Sequence, residues 1–293
     1  MTDAPATAAP VTSRRRPGRL RASPLAFLVR RSPLSVVLVA LFVFVAVFGS
    51  WLAPHSMTDT DLSVALQGPS ASYWLGTDSL GRDVLSRLLG SAGVAAQAFV
   101  IVVLMGGLLG TTLGLVAGGL GGFTDLVVSR VTEVLQGFPT ILVAIVVVAL
   151  LNPSLATAMT AVGLAAVPDF ARVARSVAIQ LREREFIQAA RGLGYGELRI
   201  LWSEVLPNMV GPLIIIASFD GAQAIMWEAA LSFLGLGVQP PAPSFGSMLR
   251  EAQNFLAIRP SLAIFIGVAV SGVVLGLNLL GDALAEFYES AGR

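Results

Sequence analysis

Apolar residues gather in this chain in long runs, not in the alternating or one-face patterns of soluble elements. The first run, Pro33 to Ala53, can cross a hydrocarbon core of about 30 Å at about 1.5 Å per residue. A second covers Ala92 to Ala117 and is dense in glycine, at positions 106, 107, 110 and 114. A third covers Asp125 to Leu151, is interrupted by Gly137-Phe138-Pro139, and stops at the turn-forming pair Asn152-Pro153. The fourth is shorter, Leu155 to Val167; the fifth runs from Asn208 to Ala230 and the sixth from Leu262 to Leu280. The pattern predicts an all-α membrane protein with six transmembrane helices. The first is expected to be retained, not cleaved as a signal peptide, because the run is long and no small-x-small site closes it before Trp51.

The polar stretches divide the rest. Residues 1–32, Ala/Pro/Thr-rich and then basic, predict a disordered cytoplasmic tail with few apolar side chains to bury. Residues 54–90 predict an extracytoplasmic segment. Within it Leu80, Val84, Leu85 and Leu88 fall at helical spacing with Arg82, Asp83 and Arg87 to the other side, as in an amphipathic helix on the membrane surface. Residues 91–283 form a five-helix core containing a charged stretch, 169–207, and 284–293 a second tail. Orientation follows from arginine placement. Arg14, Arg15, Arg16, Arg19, Arg21, Arg30 and Arg31 precede span one, and Arg172, Arg175, Arg182, Arg184, Arg191 and Arg199 lie between spans four and five. Only Arg82 and Arg87, and only Arg250 and Arg259, occupy the opposite connections. Both termini and the 169–207 stretch are therefore expected in the cytoplasm.

Composition narrows the chemistry. The 293 residues are 55% hydrophobic and 13% charged, where a soluble domain has about a quarter charged, and mean hydropathy is +0.79. A soluble enzyme or a nucleic-acid binder would have no surface of this kind. A net charge of +1 points to no acidic partner. Without cysteine there is no disulfide, thiol nucleophile or Cys-ligated metal, and the single histidine, His55, builds no metal site or triad. His55 is expected to be an ordinary loop residue. All 19 basic residues are arginine, so Schiff-base chemistry and a P-loop lysine are also absent.

The 169–207 stretch carries the most information. Leu181 to Arg191 contains good helix formers and is broken by Gly192, Gly194 and Gly196; a second piece, Glu197 to Val205, ends at Leu206-Pro207. Two short helices joined at glycines suit docking into a groove on a soluble partner, or bracing of the chain's own bundle.

Gln188-Ala189-Ala190, Gly194 and Leu206-Pro207 resemble the EAA loop of ABC-importer permeases. The resemblance implies a coupling helix seated in an ATPase subunit, with Glu185, Gln188, Ala189, Ala190, Arg191, Gly194, Leu206 and Pro207 as coupling residues. Ala189 and Ala190 would permit close approach and Gly194 would end the docking helix. Gln188 departs from the family's usual Glu. Trp74 to Arg87 (WLGTDSLGRDVLSR), Leu231 to Pro241 (LSFLGLGVQPP) and Asn278 to Asp282 are similar to the DppC/OppC branch of peptide permeases, so the likeness runs from about Pro33 to Asp282. It implies a type I importer (MetI-like) fold in the bacterial inner membrane. It further implies a second, DppB/OppB-type permease, ATPase subunits that bind the ATP and Mg, and an extracytoplasmic solute-binding protein. Membrane lipids surround it, no nucleic acid is involved, no cofactor or metal sits in this chain, and the chain is not an enzyme. A self-sufficient secondary transporter or channel is the competing class.

Ionisable residues at membrane depth are functional candidates by default. Arg130 and Glu133, three apart, can pair on one helix face, and an internal structural pair is favoured for them. Asp220 lies 13 residues beyond Pro207, about 20 Å along a helix. It can line a solute path and attract a peptide amino terminus, or bond to a neighbouring helix. Glu228 is expected to make a structural or gating contact near the outer surface. Asp282 is expected to be a solvated helix end.

Overall fold

The computed structural model describes residues 24–291. In chain order the helices are α1 (Pro24–Arg31), α2 (Pro33–Leu52), α3 (Val84–Met105), α4 (Thr111–Leu120), α5 (Gly122–Gln136), α6 (Thr140–Leu151), α7 (Leu155–Arg182), α8 (Glu185–Gly192), α9 (Glu197–Ile200), α10 (Leu206–Phe233), α11 (Phe245–Gln253) and α12 (Pro260–Ala291). Turns of π-helix, Gly106–Gly110 and Leu201–Val205, make α3–α4 and α9–α10 continuous rods. The second π turn precedes Pro207. Proline has no N–H to give the carbonyl four residues back, and its ring crowds that carbonyl, so a widened turn relieves both problems.

Four helical stretches are long and apolar enough to cross a membrane: Pro33–Leu52, Val84–Leu120, Glu197–Phe233 and Pro260–Ser290. The expected third span is a pair of helices, α5 and α6, bent by 83° at the Gly137-Phe138-Pro139 break, and counts as a fifth crossing only if taken as one. The expected fourth is the first half of α7, whose second half is charged. Length and apolarity alone thus carry fewer than six crossings.

Small residues set how closely the rods approach. Gly114 and Gly118 of α4 lie on α7, where a Cβ would run into the carbonyls of Ala171 and Arg175. Ala171, Ala174 and Ala178 form the facing stripe, so backbones meet where lipid gives no hydrophobic gain for helix association. On α2 only Ser35, Phe42 and Gly49, seven apart, are buried; a Cβ on Gly49 would stand 2.7 Å from the Leu89 carbonyl oxygen. The rest of α2 presents exposed Leu34, Val37, Leu41, Phe44 and Trp51. The central rods α3–α4, α7, α10 and α12 pack on one another, with α2 against α3 and α12, and α6 against α7.

Three expectations are corrected here. Of the tail expected to be disordered, residues 24–31 form α1, because Leu28 finds Ala283 and Leu284 to bury against; Arg14, Arg15, Arg16, Arg19 and Arg21 lie outside the described residues. The tail expected from 284 continues α12 to Ala291, with Tyr288 beneath Gly211 of α10. The surface helix expected over 75–90 is a loop up to Asp83, and α3 starts at Val84. Consequently α1, α8 and the end of α12 sit at one end of the bundle, the 55–83 loop and α11 at the other.

Candidate functional site

At the α8 end, α7 runs on to Arg182, so the expected docking helix begins only at Glu185. Ile187 and Ala190 are buried against Leu115, Ala174, Ala178, Ile200 and Leu201, which seat α8 on its own bundle. The outward face carries exposed Glu185, Phe186, Gln188, Ala189 and, just beyond, Leu193. The two alanines therefore differ: Ala190 allows close approach to α7 and α9, and only Ala189 faces outward. Gly194, at φ +83, closes the helix with a Schellman turn. Its N–H donates to the Arg191 carbonyl at 2.9 Å and the Tyr195 N–H to the Ala190 carbonyl at 3.1 Å. A Cβ there would meet nothing within 4 Å, so the glycine serves conformation alone. Arg191 donates twice to Glu197, at 2.8 and 3.1 Å, tying α8 to α9; hydrogen bonding to that carboxylate raises the Arg191 pKa. Gln188 donates to the Arg182 carbonyl at 3.4 Å. Leu206 is half-buried and Pro207 exposed at the start of α10.

A largely apolar cleft that holds a few charged side chains opens between α7 and α10. One part, about 420 Å³, is lined by Asp169, Arg172, Pro212, Phe219 and Asp220 among others. A second part, about 200 Å³, adds Thr140, Gln223 and Trp227 and shares both aspartates. Gln136 donates to Asp169 at 3.0 Å and accepts from Arg172, whereas one carboxylate oxygen of Asp220 is shielded from solvent with no hydrogen-bond partner. Sequence reading singled out Asp220 and missed Asp169. Asp169 follows Pro168, a proline inside a helix, a conjunction that separates it from an ordinary loop acid.

The loop before α3 is a buried ion cluster. Arg82 and Arg87, only 5% and 1% exposed, share Asp78 and Glu251: Arg82 at 2.7 and 2.6 Å, Arg87 at 3.4 and 3.5 Å. Asp83 caps α3 by accepting from the Ser86 N–H at 2.9 Å and its hydroxyl at 2.5 Å. His55, expected to be a plain surface residue, stacks on Tyr73 at 4.8 Å and sits 3.6 Å from Asp83. The expectation that these charges face away from the apolar positions fails because Glu251, on α11, is brought to them by tertiary packing.

Glu228 is fully buried at the α10–α11 junction and accepts from the Ser232 hydroxyl at 2.6 Å; that hydroxyl in turn accepts from the Val238 N–H at 3.0 Å. Arg130 and Glu133 pair at 2.6 Å, but both are exposed on α5, not internal. Asp282 is exposed, as expected, though within α12, not at its end. No group of three or more potential metal-ligating side chains occurs among the described residues.

Comparison with known proteins matches residues 110–291 to the family described as "Binding-protein-dependent transport system inner membrane component", and residues 19–69 to the "N-terminal TM domain of oligopeptide transport permease C". The chain is 41% identical over 251 residues (86% of this chain, 83% of the relative) to a dipeptide transport system permease protein DppC of Alkalihalophilus pseudofirmus. It is 39% identical over 249 residues (85% and 83%) to a glutathione transport system permease protein GsiD of Pectobacterium atrosepticum. An inward-facing structure of the MetNI methionine ABC transporter superposes with a TM-score of 0.55 at 17% identity, covering 68% of this chain and 94% of that one, which establishes the fold alone.

Proposed function

The chain belongs to the family of binding-protein-dependent transport system inner membrane components, and on that premise we propose that it is the C-type permease subunit of an ATP-driven importer of di- or oligopeptides. It forms the solute path with a homologous second permease, receives solute from an extracytoplasmic binding protein, and stands on ATPase subunits that bind ATP and Mg. Both termini and α8 face the cytoplasm. The observation that carries the coupling role is the build of α8, seated by Ile187 and Ala190 while Phe186, Ala189 and Leu193 stay uncovered.

Closure of two ATPases drags α8 and, through the Arg191–Glu197 ties, α9. Because the helix then continues unbroken from Glu197 to Phe233, displacement at α9 tilts the same rod that bears Asp220 and Glu228. Asp220 and Asp169 line the solute path, where two carboxylates favour the ammonium end of a peptide; Glu228 secures the outer end of α10. Arg130 and Glu133 remain a structural pair.

The test is purification of the tagged chain from native membranes with mass spectrometry of what accompanies it. A second permease and Walker-motif ATPases are expected, with the ATPases lost on deletion of Glu185–Gly196. Asp220→Asn and Asp169→Asn are expected to lower solute-stimulated ATP hydrolysis while the complex still assembles. Recovery of a chain that transports with no ATPase attached overturns the reading.

A further inference from the structure

We propose that the break between α5 and α6, residues 136–139, is a water-lined wall of the hollow in which Asp169 and Asp220 stand, with Gln136 as the tether that holds it there. The inference rests on the reading of that hollow as the solute path. Every residue of the break is exposed, Phe138 to 60%. None of the α5 side chains is buried, and the Arg130–Glu133 pair stays uncovered on the same helix. Gln136 uses both ends of its amide on α7, donating to Asp169 at 3.0 Å and accepting from Arg172. Thr140, the first residue of α6, borders the same hollow as Asp220 and Trp227.

Neighbouring residues give the depth. Gly110 faces Val167 and Phe170, on either side of Asp169, and lies ten residues from the end of the apolar run Val84–Leu120, about 15 Å along a helix. Asp220 lies thirteen residues from the end of the run Glu197–Phe233, about 20 Å. The break is therefore level with the interior of both runs. Its backbone is not closed on itself. The Gly137 and Phe138 N–H groups donate back into α5, and the Leu142 and Val143 N–H groups donate to Pro139 at 2.9 and 3.2 Å. Among the described residues no backbone hydrogen bond reaches the Gly137 or Phe138 carbonyl. Hydrocarbon leaves such carbonyls unanswered, so irregular backbone at membrane depth must be buried in protein or reached by water. Uncovered charges such as Arg130 and Glu133 face the same limit. Water fits this site: the hollow of about 200 Å³ beside Thr140 has room for several molecules, and one Asp220 oxygen in it has no protein partner.

The absence of cysteine from the chain makes the test direct. Phe138→Cys, or Thr140→Cys should the first fail to assemble, is purified with whatever subunits accompany the full chain and placed in phospholipid nanodiscs. Reaction with a cationic or an anionic methanethiosulfonate is read as the mass gain of this chain, since only a thiolate in water reacts. Either cysteine is expected to react about ten-fold or more faster than Phe44→Cys, exposed in the middle of α2. Relative to their rates with a free thiol, the cationic reagent is expected to outpace the anionic one about three-fold or more, and Asp220→Asn to lower that ratio. A rate as slow as that of Phe44→Cys overturns the water-lined wall. A ratio that neither Asp220→Asn nor Asp169→Asn changes overturns the shared hollow. The two readings fail separately: slow reaction in a preparation that retains ATPase subunits sinks the wall alone, and fast reaction with no ATPase attached sinks the importer and leaves the wall standing.

Discussion

Asp78→Asn tests the ion cluster that locks the loop before α3 onto α11. The replacement keeps shape and removes one negative charge. Asp78 accepts from Arg82 Nε at 2.7 Å, from the Arg82 N–H at 3.0 Å and from the Leu80 N–H at 2.9 Å, and stands 3.4 Å from Arg87 Nε. In the variant both guanidiniums have only Glu251, 29% exposed, as counter-charge, and at 3.5 Å that carboxylate is a poor partner for Arg87, which otherwise donates to the neutral Met57 carbonyl at 3.1 Å. Breaking a buried pair from one side costs about 3–5 kcal/mol. Water reaching Glu251 favours the lower figure, about 3 kcal/mol. At about 2–4 °C per kcal/mol for a chain of this order of size, the thermal midpoint should fall by about 6–12 °C. The assay is the fluorescence-detected midpoint of the detergent-solubilised chain, compared with the parent at one fixed scan rate because unfolding of such a protein is governed by rate. Protease cleavage within residues 61–83 should accelerate in parallel. Combining Asp78→Asn with Arg87→Met should cost less than the sum of the two changes, since each removes the other's unpaired charge. A midpoint within about 2 °C of the parent, or strict additivity, refutes the assignment of the cluster as the clamp.

Gly194→Ala should weaken the α8 terminus by about 1–2 kcal/mol, because φ +83 is left-handed. Gly194→Asn should restore most of it, since no neighbour obstructs a side chain; retention of the ATPase subunits through purification reads both. Gly114→Val places a branched side chain against the Ala171 carbonyl, and overpacking of this kind costs about 1–3 kcal/mol or more. A lower thermal midpoint and reduced membrane yield check it, while Gly192→Ala, with open space around it, should leave both unchanged.

Much was legible in the chain because a bilayer leaves few solutions. Backbone polar groups in hydrocarbon must be bonded within the segment, so a long apolar run has to be a helix; α2, α10 and α12 fall where the runs do. The glycines from 106 to 118 let the rods approach closely because they carry no Cβ, and Gly194 announced a helix end because a left-handed φ is cheap only for glycine. What failed shares a cause. Periodicity assigned Arg82 and Arg87 to an outer face, yet Glu251, more than 160 positions away along the chain, supplies the charge that lets them be buried. The α1 segment, eight residues long, is too short to hold a helix by itself and becomes one because the end of α12 offers a surface. Ala189 and Ala190 read alike in a motif, and only the seat on α7 and α9 turns one inward and the other out. Asp169 and Asp220, 51 positions apart, share a cleft because α7 and α10 pack together. The sequence by itself determined where the long apolar helices α2, α10 and α12 run, since those follow from local composition and backbone hydrogen bonding. Tertiary structure alone decided which charges are paired, which faces stay bare and which acids meet, since each depends on what a distant helix brings to the contact.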